Sequence, residues 1–135
     1  MKIEFFNPPD LCPTSGWTHA VCATGGKTIY VSGQVGVNER GEVVGKGDLR
    51  AQTEQVFRNI AIALAAAGAT FGDVVMTKLY VVGRRPEHVP IIREVRSRYV
   101  SADKPPASTL VGVSALVGPD WLIEIDAVAV VKSEE

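Results

Sequence analysis

The chain has 135 residues, 46% of them hydrophobic and 21% charged, and a formal net charge of −1. That length supports one real core and is short for two, so residues 1–135 are expected to form a single domain, and the near-average composition excludes a disordered or fibrous chain. The charge balance argues against nucleic acid as the main partner, because phosphate binding needs a clustered excess of Lys and Arg; no window approaches the roughly 20 apolar residues that span a bilayer.

The first element is a short strand, IEFF (residues 3–6), halted by Asn7, Pro8 and Pro9. This N-terminus carries no apolar signal core, which points to a cytoplasmic location. A turn-rich loop through Cys12 leads to Trp17–Cys22, which alternates as a strand, and Gly25-Gly26 reads as a two-residue hairpin turn into KTIYVSG (residues 27–33). Cys12 and Cys22, with His19 and His88 as the two histidines, lack metal-ligand spacing. We therefore expect no metal and no cofactor, two idle thiols, and Cys22 as a core residue.

After a glycine-rich loop, Asp48 is a good N-cap, since its carboxylate can accept from a free N–H of the first helical turn. The helix it opens runs to Ala67, with Leu49, Val56, Phe57, Ile60, Leu64 and Ala67 on one stripe and Gly68 at the left-handed C′ position. VVMTKLYVV (residues 74–82) is rich in β-branched and aromatic residues and reads as a central strand. A second helix lies within residues 86–100. Pro90 is tolerated only in its first turn, Val89, Ile92, Val95 and Tyr99 form its buried stripe, and Arg93, Arg96 and Arg98 face out. Arg84 and Arg85 precede it in a loop.

The last stretch, KPPASTLVGVSALVGPDWLIEIDAVAVV (residues 104–131), reads as a long β-hairpin turning at Gly118, Pro119 and Asp120. Glu124 and Asp126 share one strand face and Ile123, Ile125 and Ala127 the other. Two carboxylates on an otherwise apolar strand need donors or a wet cleft. The order β-β-β-α-β-α-β-β predicts an α+β fold with both helices on one face of a mixed sheet. The other sheet face is then uncovered, though its strands are apolar on both sides, which predicts a homo-oligomer packed through its sheets.

Four pieces, Tyr30-Val31-Ser32-Gly33-Gln34, Ala65-Ala66-Ala67-Gly68, Pro106-Ala107-Ser108-Thr109 and Ile123-Glu124-Ile125-Asp126-Ala127, stand in the order and separation found in the Rid family, the reactive intermediate deaminases formerly called YjgF proteins, and the similarity covers nearly the whole chain. The resemblance implies a chorismate-mutase-like fold and a homotrimer with three clefts at its subunit interfaces. It also implies a site. Glu124 matches the glutamate that orients the attacking water, Ser32 the hydroxyl of the first motif, and Trp17 the position of a substrate-stacking tyrosine. Ser108 stands where the deaminases of the family carry an arginine that holds the substrate carboxylate by a bidentate pair. Exchanging that charged bond for a neutral hydroxyl forfeits about 1.5–3 kcal/mol, so specificity or rate for 2-imino acids is expected to differ.

Read from the residues alone, Glu124 is either a base that positions water at a C=N bond or a carboxylate satisfied by backbone N–H groups; the resemblance favours the first. Asp126 reads as a structural partner of a cation. Ser108 and Thr109 are candidate donors to a ligand oxygen or turn caps, and Ser32-Gly33 either lets backbone approach a ligand or marks a bulge. Arg84 and Arg85 are candidate replacements for the missing arginine. Together these imply a deaminase of the 2-iminobutanoate/2-iminopropanoate kind, or a related hydrolase, acting on a small metabolite at an intersubunit cleft with altered specificity. The alternative is a non-catalytic homotrimer that binds a metabolite or a protein partner. The older family label of translation inhibitor or endoribonuclease finds no basic, aromatic surface here.

Overall fold

Residues 1–133 are described in the computed structural model. Along the chain run β1 (Lys2–Phe6), β2 (Ala20–Thr24), β3 (Lys27–Val35), α1 (Leu49–Ala66), β4 (Val74–Val82), α2 (His88–Arg96), β5 (Ala107–Val113) and β6 (Ile123–Val131). No helix among the described residues is long and apolar enough to cross a membrane.

Strands β3, β6, β4 and β5 form one sheet in that order, with β6 antiparallel to both neighbours and β4 parallel to β5. The expected closing hairpin is therefore wrong: β5 and β6 never pair, and β4 lies between them. The reason is burial. On β6, Ile123, Ile125, Ala127 and Ala129 are almost wholly buried, a row that wants neighbours on both sides and gets them from β3 and β4. The residues between β5 and β6 carry the chain past β4 instead of turning it back. The Gly25-Gly26 turn needs a similar correction. Both glycines adopt positive φ (72° and 79°), as a tight reversal demands, yet β2 makes its ladder with β1 and β3 makes its own with β6.

Both helices pack on one face of the four-stranded sheet. Asp48 caps α1 by accepting from the Ala51 N–H at 3.1 Å, and Gly68 takes a φ of 79° beyond its C-terminus. Val56, Phe57, Ile60 and Leu64 of α1, with Ile92 and Val95 of α2, meet Leu79, Val81, Ile123 and Ile125 from the sheet in one core. Helix α2 is shorter than the sequence suggests, and Pro90 sits in its first turn, where no helical N–H is lost. Cys22 is exposed, not in the core, and Cys12 is exposed too.

Among the buried polar side chains, Gln52 joins segments distant in sequence. Gln52 is fully buried, donates from its amide nitrogen to the carbonyls of Gly45 (3.2 Å) and Asp120 (3.0 Å), and accepts from the Leu122 N–H at 2.9 Å. It thus fastens α1 to the entry of β6, two residues before Glu124. The opposite sheet face has no helix over it. Tyr30 is 80% exposed there, beside Tyr80, Glu124, Asp126 and Val128 from the central strands.

Candidate functional site

On the open face, Glu124 of β6 sits opposite Tyr80 of β4, and Asp126 opposite Lys78. The Tyr80 hydroxyl donates to Asp126 Oδ2 at 3.2 Å. Asp126 is thus held by a phenol, where the sequence suggested a cation. Partial burial against the sheet raises the Tyr80 pKa, and the charges of Asp126 and Glu124 raise it further. Among the described residues Glu124 has no hydrogen-bond or ion-pair partner, and with Tyr80, Asp126 and Ala115–Val117 it lines an open cavity of about 360 Å³.

Glu124 is reached by the first motif through a bulge. The β3–β6 register shifts between Val31 and Gln34, so Ser32 and Gly33 stand out of the ladder. A methyl group added at Gly33 would overlap the Oε2, Cδ and Cγ atoms of Glu124. Gly33 is bare because a carboxylate lies on its backbone. Ser32, its neighbour in the bulge, is exposed.

The second group lies across the sheet. Ser108 of β5 pairs with Thr77 of β4, whose buried hydroxyl donates to the Ser108 Oγ at 3.1 Å, so Ser108 points toward α2. Thr109, next along, is exposed and faces the other way, on the side of Lys78 and Asp126. Trp17 is delivered to Ser108 by its neighbour. Buried Thr18 donates its hydroxyl to the Pro105 carbonyl (2.5 Å) and its N–H to the Pro106 carbonyl (3.1 Å), which fixes the loop against the start of β5. The Trp17 ring meets His19 edge-on at 4.7 Å, and His19 Nε2 donates to the Cys12 carbonyl at 2.8 Å. Trp17, Ser108, Leu110, Ile92, Arg93 and Arg96 line a cavity of about 230 Å³.

The predicted residues therefore include two separate groups within the chain: Glu124 with Gly33 on the open face, and Trp17 with Ser108 under α2. Neither Arg84 nor Arg85 joins the second. Arg85 pairs with Glu87 at 2.9 Å and lines a different cavity with His88, and Arg84 packs on Gly112. Arg96, expected to face out, is half-buried and lies against Gly16. Helical period assigned it to the polar side; the loop that wraps over α2 could not be seen from that period. Tyr80 and Gln52 were missed also, since an aromatic in a strand and a glutamine in a helix carry no signal until their partners are known. No cluster of three or more His, Cys, Asp or Glu residues that could hold a metal occurs among the described residues.

Comparison with known proteins gives the same answer from several directions. The family model described as Endoribonuclease L-PSP matches residues 9–131. The 3-aminoacrylate deaminase RutC of Acinetobacter baylyi is 36% identical over 122 residues, 90% of each chain, and a 2-iminobutanoate/2-iminopropanoate deaminase of Dermatophagoides farinae is 32% identical over 107 residues, 79% of this chain and 80% of the other. Among solved structures, the Rid-family protein YyfB of Yersinia pestis superposes with a TM-score of 0.90 at 40% identity, covering 97% of this chain and all of the other. With a matching family model, matching folds and a mixed sheet under two helices, the chain belongs to the Rid family, the YjgF-type reactive intermediate deaminases.

Proposed function

We propose that this protein hydrolyses small imines or enamines to carbonyl compounds and ammonia, with Glu124 as the group that activates water, in a cleft completed by a second copy of the chain. The observation that carries the reading is the partnerless Glu124 carboxylate, resting on bare Gly33 at the edge of an open cavity. A structural carboxylate would be satisfied by backbone N–H groups or a cation; this one is available to a ligand. Relatives named as deaminases of aminoacrylate and iminobutanoate support the reaction class.

The chemistry needs one base and one acid. Glu124 takes a proton from water as the oxygen bonds to the carbon of the C=N group and passes that proton to the nitrogen. In the resulting carbinolamine the carboxylate takes the hydroxyl proton and hands it to the nitrogen as the C=O bond forms and the C–N bond breaks, so that ammonia leaves and Glu124 is again ionised. An enamine reaches the same imine by protonation at carbon. Trp17 and Ser108 shape the far end of the substrate. They lie on the opposite sheet face from Glu124, so one protomer cannot use both on a single small molecule. This supports a cleft shared between copies and agrees with the uncovered face that leaves Tyr30 exposed.

The second reading, a non-catalytic homotrimer that binds a metabolite, is favoured by one feature: Ser108 Oγ is engaged by Thr77 and offers no charge. Ammonia release from imines generated in situ by an amino acid oxidase separates the two. The enzyme reading expects release above background that falls at least tenfold with Glu124→Ala. No release on any substrate, with ligand binding that survives Glu124→Ala, overturns it. Light scattering that gives a monomer removes the shared cleft.

A further inference from the structure

The pair Arg93 and Arg96 is the least explained group in the molecule. Both lie in the last turns of α2, three residues apart and therefore on neighbouring positions of one helical face. The carboxylates of this layer are claimed elsewhere: Glu94 binds Arg50 at 2.9 Å and Arg98 at 2.8 Å, and Glu54 binds Arg98 at 3.2 Å. Among the described residues, neither Arg93 nor Arg96 has a carboxylate within ion-pair distance. A cation near a helix C-terminus is favoured by the dipole, which explains one exposed arginine but not the burial of a second beside it.

Arg96 is half-buried and seated. The loop before Trp17 crosses its guanidinium at Gly16, where a methyl group would overlap the Nη2 atom and where φ is +80°, so glycine alone fits both the turn and the contact. Burial, and then the charge of Arg93, lower the Arg96 pKa. Two like charges, one of them partly desolvated, call for an anion between them. The space is provided. Both arginines line the 230 Å³ cavity with Trp17, Ile92, Ser108 and Leu110, and both also line an adjoining cavity of about 500 Å³ whose lining includes Asp103.

We propose that Arg96, assisted by Arg93, is the carboxylate-binding subsite of this protein, accepting the acid group of a short-chain 2-oxo or 2-imino acid whose carbon chain lies on Trp17, Ile92 and Leu110. A planar guanidinium fork matches a carboxylate with two parallel bonds, and the apolar walls suit a few carbons better than a second charge. The anchor thus comes from the helix over β5, not from the Ser108 position. As part of a catalytic cleft the assignment rests on the proposed deamination; as a binding site it does not.

The test is titration of the intact oligomer with pyruvate, a stable carbonyl counterpart of the imine, followed by calorimetry and tryptophan fluorescence. Wild type is expected to bind, with affinity falling at least tenfold in Arg96→Gln, severalfold in Arg93→Gln, and only partly in Arg96→Lys, while Glu124→Gln still binds. Methyl pyruvate, lacking the charge, is expected to bind weakly and equally to wild type and Arg96→Gln. Equal pyruvate affinity in wild type and Arg96→Gln, or no binding to wild type at millimolar concentration, overturns the assignment. Inorganic phosphate competing as well as pyruvate overturns the carboxylate choice. If Arg96→Gln does not fold, Arg93→Gln and Arg96→Lys carry the test. The two proposals fail separately: pyruvate binding lost in Arg96→Gln with no ammonia release sinks only the deaminase, and ammonia release with KM unchanged in Arg96→Gln sinks only the subsite.

Discussion

Replacing Gly33 by alanine separates catalysis from stability in one substitution. The added methyl would overlap the Oε2, Cδ and Cγ atoms of Glu124, all toward the free end of a flexible side chain. Carbon and oxygen at van der Waals contact need about 3.5 Å, so the carboxylate must retreat by roughly 1 Å or change rotamer, while the backbone bulge can stay as it is. If the side chain yields by sitting about 30° off its rotamer, the cost is about 0.5–1.5 kcal/mol. A reacting group misplaced by about 1 Å costs on the order of 10²-fold in rate. Ammonia release should therefore fall about a hundredfold in kcat/KM in Gly33→Ala, with a thermal midpoint within a few degrees of wild type. The double variant Gly33→Ala/Glu124→Ala should be no slower than Glu124→Ala alone, because the methyl acts only through the carboxylate. Activity of Gly33→Ala within threefold of wild type would refute the idea that Glu124 works from its place over the bulge.

Further outcomes follow from particular contacts. Gln52→Ala strips one donor and two acceptors of their partners inside the core; at about 1–3 kcal/mol per orphaned group, softened by water reaching the two carbonyls, the loss is about 4 kcal/mol. With an unfolding entropy of about 2.1 cal/mol/K per residue, a chain of 135 residues should melt roughly 14 °C lower by circular dichroism, and a shift under about 4 °C would mean that the tie to Leu122 is dispensable. Tyr80 should titrate above its ordinary 10.0, as followed by phenolate absorbance, and move back toward it in Asp126→Asn. Its folded-state pKa is raised, so the stability it contributes is present below pH 10 and is lost as pH rises through the higher folded value. Ser108→Arg adds a third cation to the cavity lined by Arg93 and Arg96; if the helix-borne arginines already bind the carboxylate, pyruvate affinity should rise by less than the tenfold or more expected of a lone anchor. A larger rise would return that role to the strand.

Local chemistry carried much of this fold in plain view. Asp48 and Gly68 bracket α1 because a carboxylate near free N–H groups and a residue without a Cβ solve problems that arise within a few residues of chain. The apolar stripe of Val56, Phe57, Ile60 and Leu64 and the alternation of Ile123, Glu124, Ile125 and Asp126 follow from the 3.6 and 2.0 periods of helix and strand. The order of the elements put both helices on one face and left the other open, and the alternation set Glu124 on the strand face opposite Ile123 and Ile125. Strand pairing was another matter. Two apolar runs joined by Gly118-Pro119-Asp120 look like neighbours, because the period of a strand says which face is buried but not which strand lies beside it. Only the assembled core, with room for β6 between β3 and β4, decided against the hairpin. Likewise the spacing of Arg93, Arg96 and Arg98 assigned all three to solvent, since a helix read alone has no knowledge of the loop that crosses it. The residues of the amino-acid chain determined what each element buries; the tertiary structure decided which charge is left without a partner, because ion pairing and desolvation depend on segments distant in sequence meeting in space.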